Sequence, residues 1–331
     1  MTISNRTPPF PLSQDGWRFP FFLAPVAGYS DAAFRSICRE MGAALCYTEM
    51  ISAEALVRGH AKTRTLLARH EAEPDYAIQL FGAKPDILAR AAEIVSAYRP
   101  VVIDLNCGCP VPKIVRSGAG SALLKNPELI GEIVRAMHSA SSVPVSVKIR
   151  KGWDEKSVNY LETARAAIEA GACAITLHAR TRAQGYAGQA DWDAIRKLVE
   201  TTRAFSNVFV FGSGDVFSPE QAKAMIAQTG CDGVMIARGA IGNPFIFARL
   251  KEESTQAEQI PAHLVARTAL RHLERSIRFL GEKTACVEFR KHFCAYTKGY
   301  PGGAALRARA VHAETFDAFC QLLEEFAAMH A

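Results

Sequence analysis

Residues 101–124 read VVIDLNCGCPVPKIVRSGAGSALL. The β-branched run Val101, Val102, Ile103 breaks off at Asp104, Leu105 and Asn106. Cys107, Gly108, Cys109 and Pro110 follow, then the cations Lys113 and Arg116 and the glycines Gly118 and Gly120. A short apolar run bounded by turn residues reads as a buried strand, here bringing an amide, two thiols and positive charge to its carboxyl end. Such groups are poor core material and good site material, because chemistry is commonly placed on loops carried by a rigid scaffold.

Working outward, similar runs recur at Phe21–Ala24, Ala44–Thr48, Tyr76–Phe81, Val143–Ile149, Cys173–Leu177, Val208–Phe211 and Gly233–Ile236. Between them lie segments of helical period with proper starts: Asp31–Met41, Pro85–Tyr98, Pro127–Ala140, Ser157–Ala170, Asp191–Val199 and Ser218–Gln228, with a partly helical stretch from Ser52 to about Ala68. Strands alternating with helices imply parallel pairing, and repeats ending near residue 250 predict a (β/α)8 TIM barrel. The competing doubly wound sheet lacks its Gly-rich fingerprint after the first strand. Beyond residue 250 only helical pattern remains. A polar linker runs through Gln259, then helices are expected from Pro261 to about Leu280, Ala285 to Lys298 and Ala313 to Met329, with a turn at Gly299–Gly303. The division expected is a catalytic barrel over 1–250 and a helical domain over 251–331.

The 331 residues, 49% hydrophobic and 22% charged, are enough for a large core in a soluble protein. The net charge of +6 permits an anionic partner without requiring one. The 9 cysteines, an odd number set mostly singly in apolar runs, fit a reducing compartment better than a disulfide framework. Neither a signal peptide nor a membrane span is legible, so the expectation is a cytoplasmic protein, taken as a monomer.

In a TIM barrel the strand ends form one surface. Here that surface carries Pro25, Val26, Ala27 and Gly28; Glu49; Gln79; Asn106 with Cys109; Lys148 and Arg150; His178, Arg180 and Arg182; and the loops Gly212–Asp215 (GSGD) and Ala237–Gly239 (ARG). The face is cationic and calls for phosphate. Glycines in the last two loops would let backbone amides approach an anion, with Arg238 adding a charge-assisted pair. A mononucleotide such as FMN fits that cradle. Lys148, in Val-Ser-Val-Lys-Ile, would point into the mouth and favour a reduced, anionic flavin. The amides of Gln79 and Asn106 could hold a uracil-like edge or tie down a loop. Cys107 and Cys109 would make half of a zinc site, but no second close Cys/His pair of ligand spacing appears, so no metal is expected. Cys109 reads as a reactive thiol, either general acid or nucleophile, and Cys107 as a buried structural one.

Basic residues cluster three times: Arg58 to His70 contains no acid, Arg267, Arg271, Arg275 and Arg278 recur at helical spacing, and Arg290, Lys291, Lys298, Arg307 and Arg309 face only Glu288 nearby. A charge run is usually a solvated helix face, but three of them, two beyond the barrel, favour a large polyanion.

The chain resembles the tRNA-dihydrouridine synthases from about Phe21 to Ala310, in ordered blocks: APVAGYSD (24–31), QLFG (79–82), DLNCGCPVPKIVRSGAGSALL (104–124), VKIRKGW (147–153), TLHARTR (176–182), GSGD (212–215), IARGAIGNPFIF (236–247) and FRKH (289–292). It is most similar to the bacterial B type. The resemblance implies FMN in the barrel, a helical tRNA-binding domain, and NADPH (or NADH) as reductant. It makes Cys109 the general acid and puts Pro25, Val26, Ala27, Gln79, Asn106, Lys148, His178, Ser213, Gly214, Asp215, Ala237 and Arg238 on the cofactor. Asn106, Lys113, Arg116 and Arg180 would serve the substrate. The family usually has Met at position 26 and Asn at 213, where this chain has Val26 and Ser213. The activity implied is reduction of the carbon 5–carbon 6 bond of a uridine, with hydride to carbon 6 and a proton from Cys109 to carbon 5. Alternatives are a small-molecule FMN oxidoreductase, such as a dihydroorotate dehydrogenase or ene-reductase, and a non-enzymatic RNA-binding barrel.

Overall fold

The computed structural model describes residues 9–12, 14–205, 207–251 and 259–330. Its strands are β1 (Phe21–Leu23), β2 (Leu45–Cys46), β3 (Ile51–Ser52), β4 (Ala77–Phe81), β5 (Val102–Cys107), β6 (Val145–Arg150), β7 (Ala174–His178), β8 (Phe209–Ser213) and β9 (Gly233–Ile236). All pair in parallel, in the order β2-β1-β9-β8-β7-β6-β5-β4-β3. The two ends of that order are consecutive in the chain. Tyr47, just after β2, bridges to Ala77 of β4, and β3 then pairs with the far end of β4 at Ile51 and Leu80. The second run expected from the sequence is thus one stave broken between Cys46 and Ile51, and the break closes the circle into a TIM barrel.

The helices are α1 (Gln14–Arg18), α2 (Ala32–Glu40), α3 (Ala53–Val57), α4 (Ala61–Thr65), α5 (Pro85–Ser96), α6 (Pro112–Arg116), α7 (Pro127–Ala140), α8 (Tyr160–Glu169), α9 (Trp192–Thr202), α10 (Pro219–Thr229), α11 (Phe245–Lys251), α12 (Ala262–Leu280), α13 (Glu282–Tyr296), α14 (Gly303–Ala310) and α15 (Phe316–Ala328). Side chains that accept from the first turn start several of them where the sequence indicates: Asp31 caps α2, Asn126 α7, Asp191 α9 and Ser218 α10. Helix α8 begins later than the expected Ser157, because Gly152 and Val158 form an antiparallel bridge ahead of it. Helices α6, α11 and α14 were not separately legible; the first and last are short and lack an amphipathic repeat long enough to read. Apart from Lys251 and Gln259, the expected linker lies outside the described residues. Among the described residues, no helix is long and apolar enough to cross a membrane.

Inside the barrel the side chains change character along each strand. Inward positions near the amino ends are apolar and form one buried cluster with Phe22, Val102, Ala174, Phe209, Phe211 and Met235, closed off by Phe10 and Trp17. Two residues further along the same period-two rows come Gln79 after Ala77, Asp104 and Asn106 after Val102, and Thr176 and His178 after Ala174. The barrel is therefore dry at one end and polar at the other.

Helices α12 to α15 share a second apolar cluster that includes Leu273, Phe289, Phe293, Leu306, Phe319 and Phe326. It docks on α2, where Arg275 donates to Ser36 at 2.9 Å and pairs with Glu40. Within the barrel, Arg35 of α2 is held by both oxygens of Glu73 (2.8 and 3.0 Å) and by the carbonyls of Ser30 and Ala68 (3.0 and 2.7 Å). Both partners are sealed from water. Removing one member of such a pair strands the other charge, so Glu73→Ala is expected to lower the unfolding free energy by roughly 3–5 kcal/mol, measured by urea denaturation; a loss below about 1 kcal/mol, the range of exposed pairs, would refute this.

Candidate active site

At the carboxyl ends of the strands lies a cavity of about 340 Å³, in the range of small-molecule and cofactor sites. Its wall is built from every part of the barrel rim: Pro25, Val26 and Ala27 after β1, Met50 before β3, Gln79 from β4, Asn106 and Cys109 from β5 and its loop, Lys148 and Arg150 from β6, His178 from β7, Ser213, Gly214 and Asp215 from β8, and Ala237 and Arg238 after β9.

Cys109 is placed by a directed chain of hydrogen bonds that starts deep in the barrel. Ser146 Oγ donates to Asp104 Oδ1 (2.6 Å), and Gln79 Nε2 donates to Asp104 Oδ2 (2.7 Å). Asn106 Nδ2 donates to Gln79 Oε1 (2.8 Å), while Asn106 Oδ1 accepts from the backbone N–H of Cys109 (3.0 Å) and of Gly108 (3.2 Å). Asp104 is wholly buried. Burial raises its pKa to about 6, against the lowering effects of Gln79, Ser146 and Lys148.

Burial also dominates at the cations and the thiol. It pushes the Lys148 ammonium down to about 8, with Arg150 acting in the same direction and Asp104 against it. His178 is held well below the usual imidazole range by burial and by Lys148, Arg150, Arg180 and Arg238, so it is neutral at pH 7. Its Nε2 is buried without a partner among the described residues. Cys109 is raised above the ordinary thiol value by burial, which outweighs the Val111 backbone contact and the charge of Arg150. The thiol is therefore protonated at neutral pH, the state a proton donor needs.

The loops after β8 and β9 form a tight, glycine-dependent cradle. Gly214 has φ +124°, and a Cβ there would lie 2.7 Å from Ala190 Cβ and 3.3 Å from His178 Cδ2. A Cβ on Gly239 would meet the carbonyl oxygen of Val216 at 2.2 Å. Arg238 pairs with Asp215 at 3.1 Å and lies over the rings of Tyr186 and Phe217, 4.5 and 5.1 Å from their centroids. Its guanidinium is partly exposed and keeps donors for an anion.

Three expected site residues stand elsewhere. Lys113 and Arg116 lie on the exposed face of α6, outside the cavity wall. Arg180 is 1% exposed and committed to Asp215 (2.6 Å) and to the carbonyls of Ala187 (3.1 Å) and Gly188 (2.6 Å). It shapes the loop that carries Tyr186 instead of facing the cavity. The cation beside Cys109 is Arg150, whose Nε donates to Gly108 O (2.9 Å) and whose Nη1 donates to Thr181 O (2.8 Å) and Gly185 O (2.9 Å). Its signal was present: Ser146, Lys148 and Arg150 share one face of β6. Tyr186, 59% exposed, and Phe217, 47% exposed, sit at the mouth with no periodic pattern to announce them. Outside the cavity, Arg64, Arg267, Arg278 and Lys298 are exposed and form no ion pair among the described residues.

Fold and site define a TIM-barrel protein whose rim holds a protonated thiol, a half-buried ammonium and a glycine-dependent pair of loops beside Arg238. Two solved structures share the barrel: a histamine dehydrogenase from Rhizobium sp. 4-9 (TM-score 0.52, 15% identity, 82% of this chain and 48% of that one) and a 6-hydroxypseudooxynicotine amine oxidase from Pseudomonas geniculata N1 (TM-score 0.54, 14% identity, 88% and 52%). This likeness concerns the fold alone. The family model described as dihydrouridine synthase (Dus) matches residues 22–331. A probable tRNA-dihydrouridine synthase of Treponema pallidum is 46% identical over 312 residues, 92% of each chain. A tRNA-dihydrouridine synthase B of Pseudomonas putida is 37% identical over 308 residues, 92% of this chain and 90% of that one. The chain belongs to the dihydrouridine synthase family.

Because Asn106 alone satisfies the two backbone donors at the thiol, Asn106→Ala is expected to cost about 1–3 kcal/mol and to speed alkylation of Cys109 in the folded protein. Unchanged alkylation kinetics, followed by peptide mass spectrometry, would show that the loop is held by something else.

Proposed function

We propose that this protein is an FMN-dependent tRNA-dihydrouridine synthase that uses NADPH (or NADH) to reduce the carbon 5–carbon 6 double bond of specific uridines in tRNA. The observation that carries the reading is one cavity in which the protonated thiol of Cys109 shares a wall with the half-buried Lys148 and the glycine-dependent cradle at Arg238. The residues present fit FMN. A Cβ at 214 or 239 would collide with Ala190 or with the Val216 carbonyl, so both tight loops require glycine, Lys148 has no ion-pair partner among the described residues, and the unpartnered His178 Nε2 awaits a polar atom. Pro25, Val26, Ala27, Gln79, Asn106, Lys148, His178, Ser213, Gly214, Asp215, Ala237 and Arg238 are the residues assigned to hold it.

When bound, FMN supplies the two-electron chemistry, taking hydride from the nicotinamide and delivering it to carbon 6 of the uracil. Cys109 provides the other half of the addition: its Sγ–H bond breaks, the proton goes to carbon 5, and the thiolate is reprotonated from water. Asn106 holds the backbone on which that thiol sits, and Arg150 fixes the same loop from the other side. A uridine in folded RNA is stacked and must be extruded into the mouth, where Tyr186 and Phe217 offer exposed rings. The exposed cations Arg64, Arg267, Arg278 and Lys298, with Lys113 and Arg116, hold the phosphates of the tRNA. The barrel, residues 1–250, carries the chemistry, and the helices of residues 251–331 bind the RNA. The protein acts as a monomer in the cytoplasm.

Dihydrouridine formation in unmodified tRNA, measured by nucleoside mass spectrometry with FMN and NADPH, tests the reading. Wild type is expected to give product, and Cys109→Ala to keep FMN and lose at least 100-fold in rate, the scale of a general acid. Product at wild-type rate from the variant would remove Cys109 from the mechanism. No product from a protein that binds FMN and oxidises NADPH would favour a small-molecule substrate.

Lys148 gives a pH prediction. Its ammonium titrates near 8 in the free protein, and an anionic cofactor binds the charged form, so binding above that pH must take up a proton. FMN affinity should fall as pH rises through 8 to 9.5 and stay flat over that window in Lys148→Met, read by flavin fluorescence. Parallel profiles would exclude Lys148 as the linked group.

A further inference from the structure

We propose that Asp31, His272 and His292 form a binding site for a divalent transition-metal ion, zinc in particular, at the seam between the barrel and the C-terminal helices. Asp31 ends the loop after β1, His272 lies on α12 and His292 on α13. One carboxylate oxygen and one nitrogen of each ring all lie within 4.8 Å of one another. The rings are 0% and 2% exposed. Nε2 of His272 and both ring nitrogens of His292 are buried with no partner among the described residues.

Three bare nitrogens beside one carboxylate are costly to bury, because an unsatisfied polar atom loses about 1–3 kcal/mol of hydration. An ion would satisfy one nitrogen of each ring and the carboxylate together. The free electron pairs are available: burial holds both imidazoles neutral, His272 to about 3 and His292 well below its usual value. Nδ1 of His272 is 3.3 Å from Tyr296 Oη, an outer contact that leaves Nε2 for a metal. Asp31 Oδ1 accepts from the N–H of Phe34 at 2.8 Å and caps α2. Tyr29 packs against His292, Phe289 against His272 and Phe34 against both, which keeps water out. Nearby cations are already engaged, Lys291 by Glu288 and Arg35 by Glu73.

Two imidazoles and a carboxylate with one open position are a zinc donor set. Bonds near 2.0–2.2 Å in a tetrahedron set donors about 3.4 Å apart, a spacing inside the 4.8 Å that bounds these three groups. No sequence spacing announced it, because each ligand comes from a different element. The ion would clamp the helical bundle to the loop whose residues 25–27 line the cavity.

The test uses the full-length protein, stripped with a chelator and titrated with Co²⁺. One equivalent per chain is expected to give the visible absorption of four-coordinate cobalt and to be displaced by Zn²⁺. Zn²⁺ should raise the melting midpoint by roughly 5 °C. His292→Gln and Asp31→Asn, the latter preserving the helix cap, should lose both signals. No cobalt uptake by wild type, or uptake and shift that persist in both variants because cysteines bind the ion, would overturn the proposal. Should either variant fail to fold, wild-type crystals grown with Zn²⁺ decide: an anomalous peak among the three side chains supports the site, and zinc density only elsewhere refutes it.

Discussion

The site depends on one buried carboxylate. Asp104 can only accept while ionised, so both of its oxygens require donors, and Ser146 and Gln79 supply them. This fixes the orientation of the Gln79 amide: its nitrogen must face Asp104 and its oxygen must face Asn106. Asn106 is then obliged to give its own nitrogen to Gln79, leaving its oxygen for the backbone of Gly108 and Cys109. An acceptor-only group at the bottom of the barrel thus sets the direction of every hydrogen bond up to the thiol.

The same carboxylate stands under Lys148 and opposes the cost of burying that ammonium. Half-buried on the cavity wall, Lys148 is thereby kept close to its titration point, a cation that would respond to an arriving anion more strongly than a solvated surface lysine. Arg150, on the next inward position of β6, is spent on three carbonyls. It stiffens the loops on both sides of the mouth and leaves the Cys109 thiol protonated, because its charge is outweighed by burial. Separation of these two cations along one strand leaves one without an ion pair among the described residues and commits the other to the scaffold.

The sequence made this organisation partly legible. Short apolar, β-branched runs alternating with helical segments were enough for the barrel, and the carboxyl-end rule gathered Gln79, Asn106, Cys109, Lys148, His178 and the Gly-rich loops onto one rim. What stayed hidden were relations between residues distant in the chain. That Arg180 faces Asp215 and not the cavity follows from how residues 179–190 fold back, which no local pattern encodes. The break between β2 and β3 was equally silent, since Tyr47 and Thr48 look like strand residues, yet Tyr47 still donates to Leu23 O of β1 while Thr48 already donates to Ala77 O of β4, where the barrel closes.

Helix α2 explains how two separately packed cores act on one site. Its inner face buries Phe34, Ile37 and Cys38 at 1%, 0% and 0% exposure, its start is fixed by Asp31, and its Arg35 is tied to Glu73. Its other side receives α12 through Ser36 and Glu40. The loop of residues 25–31 that enters this helix also forms one wall of the cavity. Movement of the C-terminal helices would therefore be felt first at Pro25, Val26 and Ala27. If the exposed cations of α12 and the one just beyond α13 dock an extended polyanion, as proposed, α2 would connect that contact to the cavity.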